Sequence, residues 1–345
     1  RPRPAGRSDP RRGGDLDLLG PDGGHLLGRN GPGDRTRFGH DTSDLRLEDR
    51  RSVGDRVLSE AVRLPAVAGL FYESGAQALR AEVEGYLSTA RTPRLPATSW
   101  RALLLPHAGH VYSGEICGAG VGTVELPPTV LMIGPNHHGE GAGVALSDAP
   151  AWRTPLGDVP VARALVDELV AADPLLRLDG RAHRREHSLE VIVPFLQAAR
   201  PDVSIAFLSL GEPDLDVCLS VGRAVARAVT RLEAGGERVA LVVSSDLNHY
   251  LPREENRARD GRALEALLGG DPAGLFERVF VRERISMCGV LAATALLETL
   301  RNLPATSPRL VAQGDSGDAF GDTSRVVGYA AVLWESRETA GGMEY

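Results

Sequence analysis

The chain has no lysine: all 39 basic residues among its 345 are arginine. That absence excludes Schiff-base chemistry and a Walker-type phosphate loop, both of which need a lysine amine. Cysteine is scarce as well. Cys117, Cys218 and Cys288 lie far apart with no CxxC pair, which argues against a disulfide framework or a four-cysteine zinc site and leaves any working cysteine to act as a thiolate. No apolar run reaches the roughly 18 residues of a membrane span without a charge. The opening stretch RPRPAGRSDPRRGG carries arginines but no apolar core of a secretory signal. The expectation is a cytoplasmic protein with no membrane partner. Net charge is −7 with both signs interspersed, so there is no basic stripe to track a phosphate backbone, and nucleic acid is not an expected partner.

Residues 1–55 are rich in Gly, Pro, Asp and Arg and poor in aromatic and β-branched residues. They offer too little apolar surface to offset the entropy of ordering and read as a disordered tail, His25 and His40 included. Residues 337–345 read as a second tail. Between them, residues 56–336 form one expected domain. A turn-like stretch leads into a helix with Leu79, Val83, Tyr86 and Leu87 on one face. After it, short apolar runs such as RALLLPHAG, TVLMIGPNHHG, SIAFLSLG and RVALVVSSDLNHY alternate with helical patterns such as VARALVDELVAA, SLEVIVPFLQAAR and MCGVLAATALLETLRN. Continuous apolar runs separated by amphipathic helices predict an α/β fold, a mostly parallel central sheet covered on both faces.

Three of those runs end on polar residues. ALLLPH ends at His107, VLMIGPNHH at His137 and His138, and VALVVSSDLNH near Asp246 and His249. In an open α/β sheet the carboxyl ends of the strands line the ligand crevice, so these residues are expected to converge. Neutral histidine is the commonest metal ligand. A lone strand-end histidine is ordinarily a hydrogen-bonded structural residue, and recurrence at three ends is what points to a site. Cys288 precedes a glycine at the start of an apolar helix, where helix amides would stabilise a thiolate and complete a His2Cys set. The alternative is a small buried hydrophobe, which suits Cys117 and Cys218 better. REHSLEVIVPFL is expected to place Glu186, His187 and Glu190 in a helix's first turn, with Glu186 capping and His187 and Glu190 as partners behind the ligands. His183 reads as a loop residue, and Arg153 as a surface charge that could face an anion.

Taken in order, AGLFYES, PHAGHVYSG, GPNHHG, WRTPLGD, EHSLEVIVPFLQ, SSDLNHY and MCG resemble the MEMO family, whose bacterial members include the AmmeMemoRadiSam system protein B. The resemblance runs from about Pro65 to Leu333. It implies a three-layer αβα fold related to the class III extradiol dioxygenases, and a His2Cys site for iron or copper at the sheet end formed by His107, His137 and Cys288. His249 then corresponds to the dioxygenases' acid/base histidine, with Asp246 on the same rim. His110 stands where the family usually has an aromatic residue, which implies a more polar pocket and a further base or ligand there. His138 belongs to the same expected pocket.

These readings give three functional expectations. The first is a metal-binding redox protein, in the enzymatic case a non-haem iron- or copper-dependent oxidoreductase. Zinc also suits the ligands, and the system name implies a radical SAM protein as partner. The second is a module that binds a peptide or partner protein in the same cleft without catalysis. The third is an extradiol-type dioxygenase. It ranks last because Cys288 replaces the carboxylate that would complete the dioxygenase ligand set.

Overall fold

A computed structural model describes residues 61–90 and 93–337. The expected tail at 1–55, with His25 and His40, lies outside the described residues. So does the expected C-terminal tail except for Arg337.

The runs read as strands are strands, and their burial explains their composition. β1 (Trp100–Leu105), β2 (Thr129–Pro135) and β8 (Val239–Ser244) are buried at every position, the state expected of strands covered on both faces. The other strands are β3 (Val144–Leu146), β4 (Ala151–Thr154), β5 (Gly157–Pro160), β6 (Arg177–Leu178), β7 (Ser204–Leu210), β9 (His249–Leu251), β10 (Thr306–Asp315) and β11 (Val326–Ser336). The main sheet has the order β10-β11-β1-β8-β2-β7-β3-β6, with β9 on β11, while β4 and β5 form a separate ribbon. The sheet is mixed. Its four central strands, β1, β8, β2 and β7, are parallel. Antiparallel pairs border that centre, β11 against β1 and β10, and β3 against β7, while β6 at the edge is parallel to β3. The expectation of a mostly parallel sheet therefore describes its centre.

The helices are α1 (Ala76–Leu87), α2 (His110–Gly122), α3 (Arg163–Ala172), α4 (Val193–Ala199), α5 (Leu215–Ala234), α6 (Arg253–Leu268), α7 (Pro272–Leu275), α8 (Val290–Arg301) and α9 (Gly317–Phe320). α1, α2 and α4 pack on one another, and α3, α5 and α8 form a second packed group, giving helix, sheet and helix layers. One hydrophobic core runs through them. Each fully buried Leu, Val or Phe in it contributes about 1.5–3 kcal/mol. Among the described residues no helix is long and apolar enough to cross a membrane.

One element departs from its pattern in a way that matters. SLEVIVPFLQAAR reads as a single helix, yet only Val193–Ala199 is α-helical, preceded by a 3-10 turn at Glu190–Ile192. Pro194 lacks an N–H and is tolerated only in a helix's first turn, so the helix begins there. Glu186 to Leu189 are thereby left as a loop against the end of β2, where Leu189 and Ser188 lie close to Gly134.

Candidate metal centre

β1, β8 and β2 are adjacent in the sheet and parallel, so their carboxyl ends open on one side and the residues that follow them meet. His107 follows β1, His137 follows β2, and Asp246 follows β8. Cys288 arrives from the opposite layer, just before α8. Its approach depends on Gly289: a Cβ there would lie 2.4 Å from the Ser244 carbonyl oxygen and 2.5 Å from Ser245 Cβ.

The ligand atoms of His107, His137 and Cys288 lie within 4.8 Å of one another. His107 Nε2 is 3.4 Å from Cys288 Sγ, and a tetrahedral ion with ordinary N and S bond lengths needs those two atoms about 3.5 Å apart. The hydrogen bonds select the tautomers. Ser244 Oγ donates to the Ser188 carbonyl at 2.7 Å, so it accepts from His107 Nδ1, also at 2.7 Å. His137 Nδ1 donates to Glu186 Oε1 at 2.8 Å. Both rings are thus turned to present an Nε2 lone pair, the arrangement in which carboxylates and hydroxyls orient metal-binding histidines. The donor set fits a soft or borderline transition-metal ion.

The electrostatics match that arrangement at His107, whereas without an ion the His137 ring favours a proton that a bound cation would displace. Burial holds His107 well below the usual imidazole range, and His137 and His187 push the same way. Desolvation also works against a charge on His137, but its hydrogen bonds to Cys288 and Glu186 raise it well above that range. Burial would raise Glu186, yet His137 holds its carboxyl well below the usual range. The Cys288 thiol is pushed up, first by burial. The expectation that helix amides make it a thiolate is therefore corrected. The amide of Asp246 does donate to Sγ, at 3.2 Å, and His137 also works to lower the thiol, but desolvation outweighs both.

Asp246 and His249 are also brought to this end. With Cys288 they form a second convergent group. Asp246 Oδ1 accepts from the His107 amide at 2.8 Å, and Oδ2 lies 4.0 Å from His107 Nε2. Burial pushes its carboxyl up to about 6. His249 is lowered to about 4, again by burial, and its Nδ1 has no hydrogen-bond partner. His187 stacks on His137 with ring centroids 4.8 Å apart and meets His107 edge-on at 5.6 Å. Burial, then the charge on His137, lowers it to about 4.

Of three further residues expected at the pocket, two lie elsewhere. His138 is exposed on the turn. His110 is a buried core residue. Its Nε2 donates to the Val191 carbonyl at 2.9 Å, its Nδ1 meets Glu82 at 3.1 Å, and its ring packs on Tyr72 and Phe195. Glu190 faces away from the ligands. Its carboxylate pairs with buried Arg63 and accepts from the amides of Ala66 and Val67 and from the Tyr72 hydroxyl. The reason is local: the 3-10 turn rotates Glu190 to the side opposite Glu186.

Outside the site, His183 is fully buried and its Nε2 meets the Ala145 carbonyl at 3.0 Å. Arg153 is closed in a two-bond pair with Asp158. Cys117 and Cys218 are buried.

Glu186 and Ser244 are the residues that sequence reasoning missed. Glu186 does satisfy backbone amides, those of His187 and Ser188, so capping accounts for part of it. The available signal was an acid directly beside a histidine, in a chain with two further strand-end histidines still lacking an orienting partner.

Residues 63–333 match the family of Memo-like proteins. A MEMO1 family protein of Pyrobaculum aerophilum is 36% identical over 284 residues, covering 79% of this chain and 99% of its own length. Relatives bearing the same family name in Methanocaldococcus jannaschii and Thermotoga maritima are 37% and 36% identical, each over 79% of this chain and 99% of their own. Among solved structures, an uncharacterized protein from Escherichia coli K12 aligns with a TM-score of 0.48 at 16% identity, over 68% of this chain and 99% of that one. A likeness at that level bears on neither site nor function.

Proposed function

The chain belongs to the MEMO family, and we propose that it holds one iron or copper ion between His107, His137 and Cys288 and uses it in redox chemistry on a bound substrate. The observation that carries this reading is the convergence of two ring nitrogens, each oriented by a hydrogen bond through the opposite nitrogen, and one sulfur. When bound, such an ion supplies a Lewis acid and a one-electron carrier. The chain's own residues supply the rest. Glu186 and Ser244 keep the His137 and His107 rings in one tautomer and one orientation. Asp246, raised to about 6, can hold a proton near neutral pH and release it from its carboxyl. His249, lowered to about 4, stays neutral and can accept a proton on its ring. The low exposure of His107 and Asp246 keeps bulk water from competing for these positions.

The test is elemental analysis of protein purified without oxygen and without added metal, comparing wild type with His107→Ala and Cys288→Ala. Near-stoichiometric iron or copper in wild type, lost in both variants with unchanged circular dichroism, is the expected result. Zinc alone would keep the site and remove the redox part. Metal content unaffected by either substitution would reject the ligand set.

A further inference from the structure

Beside the ligand set, Tyr250 and Arg325 form a pair that the centre itself does not require. Tyr250 has φ +63°, one of two residues other than glycine with positive φ among the described residues. L side chains rarely adopt that conformation, and it persists only where the surroundings enforce it. Here they do. Just before Tyr250, the Asn248 amide donates to Asp260 Oδ1 at 2.7 Å and the His249 amide to Ser286 Oγ at 2.8 Å. On either side of it, His249 and Leu251 register with Val327 and Val326 of β11. The result is a tyrosine 40% exposed, with its ring 5.6 Å from the His249 ring.

Arg325 covers that ring, its guanidinium carbon 5.3 Å from the ring centroid. Four other arginines are tied to acids, Arg253 and Arg257 to Asp315 and Arg262 and Arg278 to Glu283. Among the described residues no acidic side chain lies within ion-pair distance of Arg325. A guanidinium seated over an aromatic ring and joined to no carboxylate leaves its N–H fork available for two-bond recognition of a planar or tetrahedral oxyanion.

We propose that Tyr250 and Arg325 are the recognition site for a carboxylate or phosphate group on the ligand that reaches the His107–His137–Cys288 centre. The assignment rests on the reading of that centre as a metal site. Arg325 selects the ligand by charge, and Tyr250, set by its enforced backbone, spaces the anionic group from the centre.

The experiment is equilibrium dialysis of the full chain at low ionic strength with benzoate, inorganic phosphate and neutral benzamide, with metal content measured on the same samples. One oxyanion per chain binds to wild type, and benzamide does not. Arg325→Gln weakens binding at least tenfold, Arg325→Lys recovers part of it, and metal content stays unchanged in both. Preference for benzoate or for phosphate identifies which group the ligand carries. Equal binding by wild type and Arg325→Gln, or no oxyanion binding to wild type, overturns the proposal. Arg325-dependent binding in a chain that holds no metal upholds this site and rejects the metal reading.

Discussion

Oε1 of Glu186 lies 2.8 Å from Nδ1 of His137, and the other oxygen of the same carboxylate accepts from the His137 amide at 2.6 Å. One buried side chain thus fixes both the backbone and the ring of the second histidine. Glu186→Gln keeps the shape but loses the charge that holds the Nδ1 proton. Metal affinity, measured by chelator competition, is expected to fall about 10- to 100-fold. Unchanged affinity would show that the carboxylate only ties its own loop.

Gly289 lets the start of α8 touch the end of β8. In Gly289→Ala the new methyl meets the Ser244 carbonyl and Ser245, so α8 must retreat and carry Cys288 with it. Destabilisation of about 1–3 kcal/mol is expected from overpacking, together with reduced metal content. Urea unfolding midpoints and elemental analysis check the two parts separately.

His183 makes the fold sensitive to acid. Burial lowers it to about 4, against about 6.5 in an unfolded chain. The folded state therefore binds fewer protons than the unfolded state between those values. Its contribution is complete above about pH 6.5 and is lost as pH falls towards 4, on the order of 3 kcal/mol. Asp246 and Asp260, each raised to about 6 by burial, titrate in the opposite sense, so the informative quantity is variant minus wild type. In metal-free His183→Gln the urea midpoint should fall less steeply between pH 6.5 and 4. Parallel slopes would assign the acid sensitivity elsewhere.

Arg63 joins two parts of the molecule. It pairs with Glu190 and donates to the carbonyls of His183 and Glu186, while its guanidinium lies 4.3 Å from the Trp152 ring centroid. Arg63→Ala leaves Glu190 buried without its cation, which costs about 3–5 kcal/mol. Because Arg63 also holds the Glu186 backbone, metal affinity should fall with stability. A stability loss with unchanged affinity in the folded fraction would separate the two roles.

The strand ends were legible because their signal is local. His107, His137 and Asp246 each follow a run of apolar residues long enough to be a buried strand, and parallel strands open their carboxyl ends together. Glu186, His110 and Glu190 were not legible in that way. His110 stands three residues after His107, yet the first turn of α2 carries it to the helix face against Tyr72 and Phe195. Glu186 and Glu190 flank one short segment, and Pro194 together with the 3-10 turn sends one to His137 and the other to Arg63. Hydropathy carries no record of which way a short polar segment turns.

By itself, the sequence determined the alternation of strands and helices, the scarcity of thiols, the restriction of positive charge to arginine, and the presence of imidazoles at strand ends. These follow from residue type and spacing along the chain, where each signal spans only a few neighbours. Tertiary structure alone decided that antiparallel pairs border the parallel centre of the sheet, that Cys288 crosses from the other layer to reach the histidines, and that its thiol is raised rather than lowered. Those outcomes depend on desolvation and on contacts between segments more than a hundred residues apart, and such contacts exist only once the core has closed.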